Sequence, residues 1–179
     1  LSNKETIKVN GDEYIGIINI PSLNVELPVM SDWSYEKMKK SPTRYYGSLE
    51  TNDLVICAHS YKNFFRYIKN LVKGDIVVIT DINGNQYLFE VKVVEILKPE
   101  NIKEMIESEF DLTLFTCTYD SQNRVTVRLN RVNNINKIDL EKEFPRVQEI
   151  PFESSRKLMT TIHKIKNGSI DKSYGIHVA

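Results

Sequence analysis

The stretch Leu112–Val132, LTLFTCTYDSQNRVTVRLNRV, constrains the fold more than any other. It opens on a short apolar run, Leu112 to Phe115, and reaches Cys117. A polar break follows, Thr118 to Asn123. A second run then alternates, with Val125, Val127 and Leu129 on one parity and Arg124, Thr126, Arg128 and Asn130 on the other. Two β-rich runs joined by a short polar loop predict an antiparallel hairpin. With the loop at Thr118–Asn123, Cys117 closes the first strand and Arg124 opens the second. Residues directly opposite across such a ladder share a face about 4.5–5.5 Å apart. The sequence thus brings a thiol beside a guanidinium at the end of a hairpin. Arg128 competes for that place, since it has the same parity. It lies four residues further on, roughly 13 Å away at ~3.4 Å per residue, and its parity predicts a solvated strand face.

The rest of the chain supplies strands to pair with this hairpin. Residues 1–13 are polar and read as a tail or an N-terminal helix. Tyr14–Ile20 is a strand, Pro21–Asn24 a turn, and Val25–Met30 a second strand, with Pro28 marking an edge or bulge. Ser31 and Asp32 read as caps of a short helix over Ser34–Lys40, stopped by Pro42. Arg44–Asn52 reads as a loop. Leu54–Ala58 is a continuous apolar run, the pattern of a strand buried on both faces. Asn63–Val72 carries Phe64, Phe65, Ile68 and Leu71 at helical spacing. Asp75–Thr80 and Gln86–Leu97 are strands about the Asn83-Gly84 turn. Pro99–Asp111 is a loop with one helical turn at Ile102–Ile106. Short, closely spaced strands without a βαβ rhythm predict an all-β chain, a seven- to eight-stranded β-barrel with two or three short helices.

Two domains follow from a shift in composition. Residues 1–132 form the barrel, and residues 133–179 form a polar, Lys- and Asn-rich C-terminal extension interrupted by Pro145 and Pro151. Within the extension, Ser154–Lys166 fits an amphipathic helix, either packed on the barrel or serving as a flap or partner-binding segment. The 179 residues carry no net formal charge and are 41% hydrophobic, which suits one sizeable core. A neutral balance gives no reason to expect nucleic acid as a partner. No stretch approaches the ~20 apolar residues of a membrane span, and no signal peptide is visible. Two cysteines are too few for a disulfide scaffold, and no CxxC pair suggests zinc. Cys57, inside Leu-Val-Ile-Cys-Ala, reads as a small buried hydrophobe; a disulfide to Cys117 is the alternative. His59, at the end of the same run, reads on its own as a surface residue, a satisfied core residue or an acid–base group. His163 and His177 read as solvated.

Thr113-Leu114-Phe115-Thr116-Cys117 resembles the TLxTC signature of the sortases, cysteine transpeptidases of Gram-positive cell surfaces. That family has an arginine at the head of the following strand, which Arg124 matches. It also has a histidine at the end of a buried strand preceded by an Asn in a loop, and Asn52-Asp53-Leu54-Val55-Ile56-Cys57-Ala58-His59 fits that pattern. The resemblance covers roughly Glu13–Val132. One departure is Ala58, where the family usually shows Gly.

The resemblance implies roles for these positions. Cys117 is the nucleophile, His59 the acid and base, and Arg124 the stabiliser of the oxyanion or substrate carbonyl. Thr116, Leu97 and Ala58 are the expected substrate-binding residues, and Leu97–Leu112 the wall of the groove. The expected substrate is a surface protein bearing an LPxTG-like sorting signal, cut at its Thr-Gly bond. The expected acceptor is an amine on a peptidoglycan precursor or a pilin. No cofactor or metal is implied. The location implied is the outer face of the cell membrane or the cell wall, through an N-terminal anchor missing from this chain. The short interval from His59 to Cys117 argues against class B and for a class A, D or E relationship. Elementary titration shows what such a site must achieve. At reference pKa values near 8.5 for cysteine and 6.5 for histidine, about 3% of thiols are ionised and about 24% of imidazoles protonated at pH 7. Independent groups would hold both states together in only about 0.7% of molecules, whereas neighbouring charges couple them.

Overall fold

The computed structural model describes residues 5–132, together with the backbone of two short strands further on. Strand β1 (Ile7–Val9) and strand β2 (Asp12–Ile20) form a hairpin about Asn10-Gly11, both residues at positive φ (50° and 88°). Of the tail or helix expected over residues 1–13, residues 1–4 lie outside the described residues and residues 7–13 are a strand pair. The Asn-Gly dipeptide is its local signal, because a two-residue hairpin turn needs positive φ at both positions. After a single turn of 310 helix at Pro21–Leu23, β3 (Val25–Met30) runs back along β2. Helix α1 (Tyr35–Lys40) is capped by Ser34, whose hydroxyl accepts from the Lys37 N–H at 3.1 Å, rather than by Ser31 or Asp32. Strand β4 (Thr43–Tyr46) replaces the start of the expected loop.

Strand β5 (Leu54–Cys57) is buried throughout because it lies between β4 and, in parallel, β8 (Leu112–Cys117). Strands β6 (Ile76–Asp81) and β7 (Gln86–Leu97) form the hairpin expected about Gly84. The Asp81 carboxylate accepts from the N–H groups of Asn83 and Asn85 at 2.9 and 2.8 Å and holds that turn. After helix α2 (Ile102–Ile106) come β8 and β9 (Arg124–Arg131). The sheet order is β1-β2-β3-β4-β5-β8-β9-β7-β6, and β6 pairs again with β2, so eight strands close on themselves. Gly16 makes closure tight: a Cβ built there would stand 2.1 Å from the Thr80 carbonyl oxygen.

Residues 63–72 depart from the expected helix. They form turns and one 310 segment, Ile68–Asn70, with Ile68 N–H donating to Phe65 O and Leu71 N–H to Ile68 O. Phe65, Ile68 and Leu71 are the residues buried, at intervals of three, which is the 310 period rather than the α period. The apolar pattern correctly marked burial and mis-assigned the pitch.

The barrel interior is filled by alternate residues of each strand: Leu54 and Ile56, Leu112 and Leu114, Val125, Val127 and Leu129. The opposite parity therefore faces outwards. Part of that outer face has a small second core, where Val55, Leu97 and Met105 pack with Tyr45, Ile106 and Phe115.

The chain separates into two compact units, residues 1–131 and 132–179. In the second, Arg146–Glu149 (β10) and Thr161–His163 (β11) pair antiparallel. The expected Ser154–Lys166 helix lies outside the described residues except for Thr161–His163, which form strand; Thr161 and Ile162 are β-branched and favour it. Among the described residues no helix is long and apolar enough to cross a membrane.

Candidate active site

The β8–β9 hairpin forms in the expected register, with Cys117 directly opposite Arg124. The loop between them is tied at its base. Thr118 N–H donates to Asn123 O at 2.9 Å, and Asn123 N–H returns a bond to the Thr118 hydroxyl at 3.0 Å. The Asp120 carboxylate accepts from Gln122 N–H and from the Thr118 hydroxyl. Ser121 takes positive φ (61°) to complete the reversal. Such a loop holds the register against slippage by one residue, which would turn the thiol into the core.

The ladder continues on the other side of β9, where Leu97 stands opposite Arg124. Leu97, Arg124 and Cys117 thus form one row across three strands, on the outer face of the barrel. The Arg124 guanidinium is half-buried and donates to Asn123 O at 3.1 Å. Among the described residues the ion pairs engage other side chains, so its charge is not spent on a carboxylate.

His59 arrives from β5. The parallel register sets Cys57 opposite Phe115. Two bonds carry the alignment past the strand end: Ala58 N–H donates to Phe115 O at 3.3 Å, and the Thr116 hydroxyl donates to Ala58 O at 2.8 Å. His59 follows directly, at the end of the strand that neighbours the Cys117 strand. Its ring stacks on Tyr61, with centroids 4.9 Å apart and planes at 21°. Its Nε2 is buried and has no hydrogen-bond partner among the described residues. Burial, and secondarily the charge of Lys39 on α1, lowers its pKa below the usual histidine value. The free imidazole is therefore held towards its neutral, proton-accepting form.

Both cysteines are free thiols. Cys57 is buried against Thr43 and Met38, with Sγ 3.2 Å from the Thr43 hydroxyl and 3.6 Å from the Met38 sulfur. Burial pushes its pKa up to about 12, against the opposing hydrogen bond from Thr43. It is the packing cysteine, whereas Cys117 stands half-buried at a strand end. Ala58 and Thr116 are buried and bonded to each other, and Leu97 is buried in the second core.

Arg128 corrects the expectation of a solvated side chain. It is buried, and its guanidinium donates to Glu95, Thr113 and two carbonyls of α2. Parity placed it on the outer face, but only the tertiary position of α2 shows that this part of the face is covered. Tyr61 and Lys39 were also missed; no local signal ties either to His59.

The Sortase domain family matches residues 18–132. A P-type ATPase cytoplasmic domain N family matches residues 91–178, just under half of the chain. Among solved structures, sortase A from Corynebacterium diphtheriae superposes with a TM-score of 0.62 at 24% identity, over 70% of this chain and 64% of that one. The Clostridium perfringens sortase C with the C-terminal cell wall sorting motif gives 0.59 at 25% identity, over 68% and 71%. The pilus-related sortase C of Group B Streptococcus gives 0.59 at 29% identity, over 67% and 68%. A 42-residue stretch is 48% identical to the DNA mismatch repair protein MutS of Lysinibacillus sphaericus (strain C3-41), spanning 22% of this chain and 5% of that protein. The first family match takes in every barrel strand from the latter part of β2 to the end of β9, and the barrel it covers is the one these solved sortases share: the chain belongs to the sortase family.

Proposed function

We propose that this protein is a cysteine transpeptidase that cleaves an LPxTG-like sorting signal and passes the acyl part to an amine. The observation that carries the reading is the Cys117–Arg124 ladder pair on the outer face, with His59 delivered by the adjoining strand. In the forward step neutral His59 takes the proton of the Cys117 thiol, and the thiolate attacks the Thr carbonyl carbon of the Thr-Gly bond. Negative charge gathers on the carbonyl oxygen, where Arg124 supplies hydrogen-bond donors and a positive charge. His59 hands its proton to the leaving glycine amine, and a thioester remains. An amine acceptor then attacks the thioester and loses a proton to His59, the C–S bond breaks, and His59 passes that proton to the departing Cys117 thiolate.

Leu97 and the α2 segment line the side of this row and are read as the groove wall. Ala58 and Thr116 hold the strand ends that carry His59 and Cys117. The sorting motif bound to the Clostridium perfringens enzyme supports a peptide of that kind as substrate. The acceptor is read as an amine of a peptidoglycan precursor or pilin, and the place of action as the Gram-positive cell surface through an N-terminal anchor. The interval from β5 to β8 holds a single turn of 310 helix and the five-residue α2, which supports class A, D or E rather than B.

A fluorogenic LPxTG-type peptide, incubated with and without triglycine, tests the reading. Wild type should form an acyl-enzyme by mass spectrometry and yield a triglycine adduct, and Cys117→Ala should do neither. Equal cleavage by both proteins would discard it. Binding without an acyl-enzyme would instead identify a non-catalytic peptide-binding barrel, and hydrolysis unaffected by triglycine a cysteine peptidase that uses water.

A further inference from the structure

Among the described residues Arg128 is the charged side chain most completely removed from water: it is 4% exposed, against 38% for its partner Glu95. A buried guanidinium needs its donors occupied, and here the acceptors come from three elements. Nε donates to Glu95 Oε1 on β7 at 2.8 Å. Nη1 donates to the Thr113 hydroxyl on β8 at 3.1 Å and to Met105 O at 3.2 Å. Nη2 donates to Glu104 O at 2.7 Å. The last two acceptors belong to α2. A helix this short leaves its final carbonyls without intrahelical partners, and Arg128 takes two of them.

The same helix presents Met105 and Ile106 to the second core, where they meet Leu97, Val55 and Phe115. Leu97 stands opposite Arg124, and Phe115 lies two residues before Cys117. The position of α2 against the outer face therefore sets the apolar wall beside the reactive row. Thr113 and Met105 share one nitrogen, so the guanidinium joins helix and strand through a single planar group. Lysine, a point charge on a flexible stem, cannot reproduce that fork.

We propose that Arg128 is a positioning residue: it fixes α2 against β8 and β9 and so sets the groove wall that grips the acyl side of the substrate peptide. The inference rests on the transpeptidase reading above. It separates two outward arginines of one strand, Arg124 for the chemistry and Arg128 for the wall.

The test is Arg128→Lys in the full chain, with three readouts. Peptide kinetics should show KM raised at least about tenfold and kcat lowered less than about threefold, the signature of lost uniform binding. Alkylation of Cys117 by iodoacetamide, which needs no wall, should keep its wild-type rate. Hydrogen exchange over residues 100–111 should quicken. Thr113→Val removes one acceptor from the same guanidinium without burying a new charge, and should shift KM and exchange in the same directions by less. It serves as the assay if Arg128→Lys does not fold. Unchanged KM with unchanged exchange would overturn the proposal. So would a joint collapse of kcat and alkylation, the outcome expected of Arg124→Ala, which removes the positive charge beside Cys117. If wild type cleaves no sorting peptide, the transpeptidase reading fails, while exchange and alkylation still decide whether Arg128 fixes the helix.

Discussion

Replacing Thr116 by valine removes one hydroxyl and keeps the side-chain volume. That hydroxyl donates to Ala58 O at 2.8 Å inside the barrel, where both residues are buried. Valine therefore leaves the Ala58 carbonyl without its donor. An unmade bond to a buried acceptor costs about 1–3 kcal/mol, and at roughly 4 °C per kcal/mol for a unit of this size the melting temperature falls by about 4–12 °C. Catalysis should suffer separately. The freed carbonyl sits one residue before His59, and a shift of about 1 Å in a catalytic group can lower the rate by about 100-fold. Thr116→Val should therefore lose about 10- to 100-fold in kcat with the Cys117 thiol still titratable by alkylation. Thr116→Ser, which keeps the donor and loses a methyl, should regain most of that activity. Calorimetry and single-turnover acylation measure the two effects. A valine variant that melts within about 1 °C of wild type and acylates within about twofold would refute the idea that this bond aligns the two strand ends.

Other perturbations follow from the same geometry. Gly16→Ala drives a Cβ into the Thr80 carbonyl oxygen at 2.1 Å, at a backbone φ of +154°, and should open the β2–β6 closure; circular dichroism melting should show a loss of several degrees or no cooperative transition. His59 should titrate below the ordinary histidine value by NMR, and Lys39→Gln should move it part of the way back, since burial is the larger cause and Lys39 the smaller. The sign for stability follows. The unfolded chain binds the His59 proton more readily than the folded one, so this group's contribution falls as pH drops from about 6.5 towards the folded pKa, and then stays constant. A flat His59 contribution to stability between pH 7 and 5, compared with His59→Gln, would contradict that. Iodoacetamide on the native protein should label one thiol, at Cys117, because Cys57 is buried with its pKa pushed up to about 12; equal labelling of both by peptide mapping would refute the division of roles.

Much of this was legible in the chain because the hairpin signal is local. Alternation over Arg124–Asn130, a polar loop and a preceding apolar run were enough to predict the Cys117–Arg124 register, and β5 could be read from its continuous apolar run. The Asn10-Gly11 hairpin carried an equally local signal that the polar composition of residues 1–13 masked. Strand β4 does not stand out from the expected loop because it is only four residues long and its pairing shifts register between Arg44 and Tyr46, although Thr43 and its two tyrosines favour strand. The convergence at the site is not local. His59 meets the Cys117 strand through a parallel pairing of residues 58 apart in sequence, which no periodicity reports. Arg128 shows the limit most plainly. Alternation gives the side of the sheet on which a residue stands, but whether that side meets water depends on a helix packed there by the tertiary fold.

Strand β8 divides its labour by parity. Leu112, Leu114 and Thr116 point inwards and hold the barrel together, while Thr113, Phe115 and Cys117 point outwards to the groove. Mutational sensitivity along this segment should consequently beat with a two-residue rhythm: Leu112 and Leu114 failing in expression, Thr113 and Phe115 in substrate binding and Cys117 in turnover, with Thr116, bonded to Ala58, touching both stability and turnover. Selection could then retune what the groove accepts by changing every second letter, leaving the scaffold beneath almost untouched.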